Sequence, residues 1–401
     1  MANGWKTKDW WVSNFNYKDG VKSRFTNLDR VKLHDATLRD GEQTPGVVLR
    51  RHEKVEIARK LAEAGVHRIE AGMPAVSDED RLAIADIKKL GLKSEIFVFV
   101  RAKEEDIIMC KECGVDGIVI ELPIGKPKLD LQFKWDIKRV IDMSIQSIKM
   151  AKECGLYTVL FPYDTTRADQ EDLEILLDSV MEEAPPDSVG LVDTMGCAMP
   201  GAISYMVRLL KDRTGLPVEI HTHNDFGLAL ANSLEAVMSG ADVIHGCING
   251  MGERTGNCAL EEVVLAMQLL MGVDLNVDIK KLVDLSEHVE EVTGFKLAQN
   301  KPVVGRGNFT RESGIGADAL LNAPLAMFAL NPAFLGRKPE LVLGKKSGLT
   351  SIEMKLAEKG IEMDEEAKKA LLKDVKEMGL EKKRLLTEGE FIGLVSKYTK
   401  S

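Results

Sequence analysis

Cysteine is scarce in this 401-residue chain, with six residues, and no apolar N-terminal run of the kind that a secretion signal requires precedes them. Those two absences exclude a disulfide framework and predict a reducing, cytoplasmic setting. No apolar stretch approaches 18 residues, so no membrane span is predicted. Basic charge is not in excess either. Lys and Arg number 54 against 63 Asp and Glu, a net −9, which leaves no positive field for a nucleic-acid backbone. A G-x-G-x-x-G after the first predicted strand is missing, which argues against a dinucleotide fold. Disorder is excluded by an ordinary apolar fraction of 44% beside 29% charged residues. One C-x-x-C, Cys110 and Cys113, falls in AKEEDIIMCKECG. That segment reads as an amphipathic helix without a second pair nearby, so structural thiols are expected there.

What is present has a rhythm. Trp5, Trp10, Trp11, Phe15, Tyr17 and Phe25 crowd the start, so residues 1–30 read as an arm that packs onto this subunit or a neighbour. From residue 32, short β-branched or apolar runs alternate with longer helix-period segments: VKLHDATL, VHRIEAG, KSEIFVFVR, DGIVIELP, LYTVLFP, SVGLVDT, PVEIHTHND and ADVIHGCING. Near-continuous apolar strands fit a parallel sheet buried on both faces. Eight βα units over 31–275 predict an α/β fold, a TIM (β/α)8 barrel, with an open doubly wound sheet as the alternative. The rhythm stops near residue 275. An extended, Gly-rich region over 276–345 follows, then a small helical subdomain over 346–401.

Barrel enzymes place their chemistry at the C-terminal ends of the strands. Those ends carry Arg39, Asp40 and Gln43 after the first strand, Glu70 after the second and Asp164 after the fifth. The sixth ends at Thr194, the seventh at His221 and His223, and the eighth runs into GMGERTGN, ending at Asn257. Histidines at period two point to one face. With a carboxylate from the first strand they make a mixed N/O site for one divalent ion: Zn²⁺, Mn²⁺, Co²⁺ or Mg²⁺. Arg39 reads either as a local ion pair with Asp40 or as a guanidinium facing developing negative charge.

HDATLRDGEQTPGV, VDTMG, HTHNDFGLALAN, NGMGERTGN and LGKKSG occur in this order. Together they resemble the DRE-TIM metallolyase superfamily, and within it the acyl-CoA-dependent branch of isopropylmalate, homocitrate and citramalate synthases. The resemblance spans roughly residues 31–360. It implies a metal held by Asp40, His221 and His223 with Asn257 close by, and an Arg39 that polarises a 2-oxo acid. Gln43, Glu70 and Thr194 are then expected around the substrates. It also implies a Claisen-type condensation of acetyl-CoA, or a related acyl-CoA, with a 2-oxo acid, in a homodimer whose 276–345 region reaches the partner's active site.

Three segments depart from the pattern. NFTRESGIG places Arg311 and Gly316 where the family usually has histidines, and an arginine cannot act as a base at neutral pH. Arg311 is therefore expected to bind substrate, favouring a doubly anionic acid. FPYDTTRAD makes Asp164 a stand-in for the family's glutamate. ELPIGKPKL brings Lys126 and Lys128, read as a solvated loop. The alternatives are a metal-dependent carbon–carbon lyase resembling HMG-CoA lyase, disfavoured because GERTGN lacks that family's loop cysteine, and a non-catalytic barrel.

Overall fold

The structure, a computed structural model, describes residues 4–25, 28–314 and 316–399; within NFTRESGIG, Ile315 lies outside them. Eight parallel strands close into a barrel in sequence order: β1 (Lys32–Asp35), β2 (Arg68–Glu70), β3 (Glu95–Arg101), β4 (Gly117–Pro123), β5 (Tyr157–Tyr163), β6 (Ser188–Asp193), β7 (Val218–Thr222) and β8 (Val243–Gly246). Closure comes from β8 pairing with β1, Lys32 opposite Val243 and His34 opposite His245. Each predicted strand appears, and the fold is the expected TIM barrel rather than the open sheet.

Local sequence explains the alternation. Helices Arg51–Ala64, Glu104–Cys113 and Pro200–Thr214 end on Gly65, Gly114 and Gly215 in left-handed conformation, the usual stop before a following strand. Ser77, Asp136 and Asp278 cap the N-termini of Asp78–Lys89, Ile137–Glu153 and Ile279–Thr293 with side-chain oxygens. Phe97, Phe99, Val119, Val159, Phe161 and Val192 fill part of the barrel interior. Gly117 and Gly190 stand against the rings of Phe97 and Phe161, where any Cβ would collide. Small residues facing large ones let the layers interlock.

Two compact units make up the chain: Phe15–Leu297, which contains the barrel, and Met1–Asn14 with Ala298–Ser401. In the second unit β9 (Thr310–Arg311) pairs in parallel with β10 (Glu340–Leu341). Helices Leu349–Glu358, Glu365–Lys382 and Glu388–Val395 enclose Leu343, Ile352, Leu371, Val375 and Phe391. The aromatic start of the chain belongs partly here. Trp11 N–H donates to Ala329 O at 2.9 Å, and the Trp10 ring meets Phe334 edge-on at 5.4 Å. Among the described residues, no helix is long and apolar enough to cross a membrane.

Candidate metal centre at the barrel mouth

The sharp turn after β1 is built by Asp35. Its carboxylate accepts from Thr37 N–H at 3.0 Å and Thr37 Oγ1–H at 2.8 Å. Backbone N–H groups of Arg39 and Gly41 then close onto Ala36 O. This turn carries Arg39 and Asp40 into the mouth. From β7, His221 and His223 point the same way, as period two requires. Asp40 Oδ2 stands 3.2 Å from His221 Nε2 and 3.6 Å from His223 Nε2, and the two Nε2 atoms are 3.4 Å apart. All three residues are buried. Asn257 joins through a backbone bridge to His223. Its Nδ2 donates to Met251 O at 2.9 Å, while its Oδ1 is buried without a hydrogen bond, as is Asp40 Oδ1.

Converging buried donors with orphaned oxygens fit a divalent cation, and the protonation states agree. Burial alone would raise the Asp40 carboxyl, but the Arg39 guanidinium and both imidazoles hold it well below the usual carboxylate range. Burial pushes His221 down, and His223 down to about 4, so both are neutral ligands at pH 7. Arg39 is fixed from beside and below. Glu70, wholly buried, accepts from Arg39 Nε at 2.7 Å and Nη2 at 3.3 Å, and the guanidinium lies 4.4 Å over the Phe99 ring. Against a burial cost that raises it, the Arg39 charge and the nearby His34 bring the Glu70 carboxyl down to about 2.

Gln43 is exposed and, with Arg39, Lys54, Gly72, Met73 and Phe99, lines a cavity of about 380 Å³ beside the mouth. Thr194 Oγ1 accepts from Asp164 N–H at 2.7 Å, and its carbonyl accepts from Arg254 Nη2 at 2.6 Å. Asp164, at φ 62°, is buried and clamped by Arg167 through Nε at 2.9 Å and Nη2 at 2.6 Å. Arg311 lies on β9 in the other unit, half-buried, and Gly316 adopts φ 76°. Lys126 pairs with Asp130, but Lys128 opens a short π-helix, Lys128–Phe133, half-buried with its Nζ 5.8 Å from the Tyr163 ring centroid. The expected solvated loop is therefore a helical turn that folds its polar side chains back on itself. Cys110 and Cys113 are buried in the helix Glu104–Cys113, and burial raises both thiols. Sequence reasoning missed Glu121. It follows Val119 of the interior at period two and so faces the mouth at the end of β4. Burial raises its carboxyl to about 7 despite the Arg39 charge, with Asp40 and Glu70 adding to the rise. GIVIELP is a near-continuous apolar run, so its sequence carried no signal that singled out Glu121.

Comparison with known proteins gives the family of this chain. Residues 30–289 match the family model described as HMGL-like, and residues 303–383 match one described as homocitrate synthase post-HMGL domain-like. The homocitrate synthase AksA of Methanothermobacter thermautotrophicus is 38% identical over 367 residues, 92% of this chain and 93% of that one. The 2-isopropylmalate synthase of Methanocaldococcus jannaschii is 39% identical over 373 residues, 91% of this chain and 72% of that one. Among solved structures, an HMG-CoA lyase of Bacillus subtilis superposes with a TM-score of 0.58 over 67% of this chain and 95% of its own, at 22% identity, a likeness of fold alone. The chain belongs to the HMGL-like family of DRE-TIM metallolyases.

Proposed function

We propose that this protein is an acyltransferase that condenses acetyl-CoA, or a related acyl-CoA, with a 2-oxo acid. The products are a 2-hydroxy-2-alkyl dicarboxylic or tricarboxylic acid and CoA. The observation that carries the reading is the buried Asp40, His221 and His223 cluster beside a fixed Arg39 at the C-terminal mouth. Relatives at 38–39% identity that are named homocitrate and isopropylmalate synthases support it.

In this reading Asp40, His221 and His223 hold one divalent ion (Mn²⁺, Mg²⁺, Zn²⁺ or Co²⁺), with Asn257 Oδ1 as a further oxygen. When bound, the ion supplies Lewis acidity toward the 2-oxo group. Arg39 stabilises the alkoxide that forms as the acyl methyl carbon adds to the oxo carbon. Glu70 acts through Arg39, since both its oxygens face the guanidinium. Gln43 and Thr194 flank the substrates, and Arg311 recognises a carboxylate or phosphate. The methyl proton needs an acceptor. Asp164, the candidate from its sequence position, is held as an anion by Arg167, which weakens it as a base. Glu121, without such a clamp and with a raised carboxyl, is the better acceptor. Water then hydrolyses the thioester and releases the CoA thiol. The protein is further proposed to be a cytoplasmic homodimer with sites shared between subunits.

The test follows thiol release from acetyl-CoA across a panel of 2-oxo acids with each of the four metals added, and reads product masses. One acid, of doubly anionic type, is expected to stand out. Activity should vanish on chelation and in Asp40→Ala, His221→Ala and His223→Ala. Cleavage of a hydroxyacyl-CoA without any thiol release from acetyl-CoA would overturn the assignment in favour of a lyase.

A further inference from the structure

Beneath the metal centre the barrel axis is polar where such barrels usually stack branched apolar side chains. At its lower end Arg68 Nη1 donates to Glu219 Oε1 at 2.8 Å, and Ser188 Oγ–H donates to the same oxygen at 2.7 Å. Glu219 Oε2 accepts from His245 Nε2–H at 2.8 Å. The His245 ring lies flat on His34, with centroids 4.0 Å apart and planes 1° from parallel. His34 Nε2 then faces Glu70 Oε2 at 3.4 Å, and Glu70 holds Arg39. Glu219, His245, His34 and Glu70 are all buried.

His34, Glu219 and His245 are close enough together to suggest a second metal site. The ring geometry rejects it. An ion about 2 Å from an imidazole nitrogen lies in that ring's plane, and no point lies in two parallel planes. The stack needs another explanation, because neither His34 nitrogen makes a full hydrogen bond within the protein. An unsatisfied buried polar group is destabilising, and a phenyl or aliphatic side chain would fill the same space without that cost.

We infer that His34, carried on the His245 ring, is a positioning residue that sets the orientation of Arg39 through Glu70. The bidentate Arg39–Glu70 pair fixes the two planar groups to each other, but not to the barrel wall. The His34 N–H facing Oε2 ties this joined pair to β1, and with it sets the direction in which the guanidinium presents its remaining N–H groups. That direction matters for the condensation proposed above, on which the catalytic consequence rests.

The experiment compares wild type, His34→Phe and His34→Gln as full-length protein. Gln places an amide N–H where the imidazole Nε2 stood, whereas Phe keeps the stack and removes the donor. The direct readout is hydrogen exchange at the Arg39 Nε–H, observed by NMR with nitrogen-labelled arginine and assigned with Arg39→Lys. Exchange should speed up at least about tenfold in His34→Phe and return toward wild type in His34→Gln. Thiol release should follow, with kcat down about ten- to a hundredfold in His34→Phe, KM for acetyl-CoA little changed, and rescue by Gln. A merely space-filling role predicts His34→Phe to be as stable as wild type or more so, and as active. An Arg39 exchange rate unchanged by His34→Phe overturns the proposal, as does a Gln variant no better than Phe. If His34→Phe does not fold, His34→Leu takes its place. Failure of both apolar variants to fold makes the histidine structural and sinks the idea. Absence of thiol release by wild type would refute the reaction instead, while the exchange measurement still decides the role of His34.

Discussion

At the scale of single residues, the mouth separates carboxylates by environment. Asp40 and Glu70 are kept ionised by Arg39, whereas Glu121 is raised to about 7, mainly by burial. A base must be ionised, so activity should fall as pH drops through the Glu121 value. The Arg39 charge is already part of that value, and a bound divalent ion would pull it down further, which places the acid limb at or below about pH 7. Glu121→Gln should lower kcat by roughly 10²–10⁴-fold and flatten the acid limb, read from thiol release between pH 5.5 and 8.5. An acid limb that persists unchanged in the variant would remove Glu121 from the mechanism. The shared direction of His221 and His223, the proposed metal ligands, was legible in the sequence, because two histidines at period two leave little freedom on a strand. Glu121 was not, since an isolated Glu in an apolar run has no distinctive spacing and only its enclosure raises it.

Among the elements, the loop after β8 does the most shaping. Asn257 N–H donates to Gly250 O at 3.1 Å, and Gly256 O accepts from Asn224 N–H at 3.0 Å, so the loop is pinned to itself and to the end of β7. Gly256 sits at φ 80°, and a Cβ there would strike the Gly250 carbonyl oxygen. Gly256→Ala should therefore cost about 1–3 kcal/mol of stability and displace Asn257. Thermal unfolding together with metal titration checks this, and metal affinity should fall more than in an alanine substitution of an exposed loop residue. The strands themselves could be read from sequence because apolar runs between Gly-stopped helices admit few other arrangements. The loop could not, since GMGERTGN shows flexible residues without showing which carbonyl they approach.

For the whole molecule, the two units raise the question of assembly. The proposal that residues 276–345 serve a partner's site predicts a homodimer by light scattering at micromolar concentration. It also predicts complementation. Arg311→Ala and Asp40→Ala, each nearly inactive alone, should regain up to about a quarter of wild-type activity when refolded together, because half of random dimers then carry one intact site of two. An active monomer, or no recovery in demonstrated heterodimers, would exclude shared sites. The chain's aromatic beginning shows how packing redistributes a segment that reads as one arm. Trp10 and Trp11 join the second unit, while Tyr17 Oη–H donates to Leu269 O in the barrel unit.

By itself the sequence determined the barrel, the strand ends that face its mouth, and the His-x-His with its upstream Arg-Asp. These follow from local rules: period-two alternation, helix stops at glycine, and turn chemistry within a few residues. Tertiary structure decided what depends on distance between segments far apart in the chain. It brought Asp40 within reach of His221, committed Glu70 to Arg39, tied Asp164 to its own neighbour Arg167, and stacked His34 on His245 across the β1–β8 seam that closes the barrel. Protonation belongs with these. A carboxyl's ionisation depends on burial and on the charges beside it, and neither exists until the chain has folded.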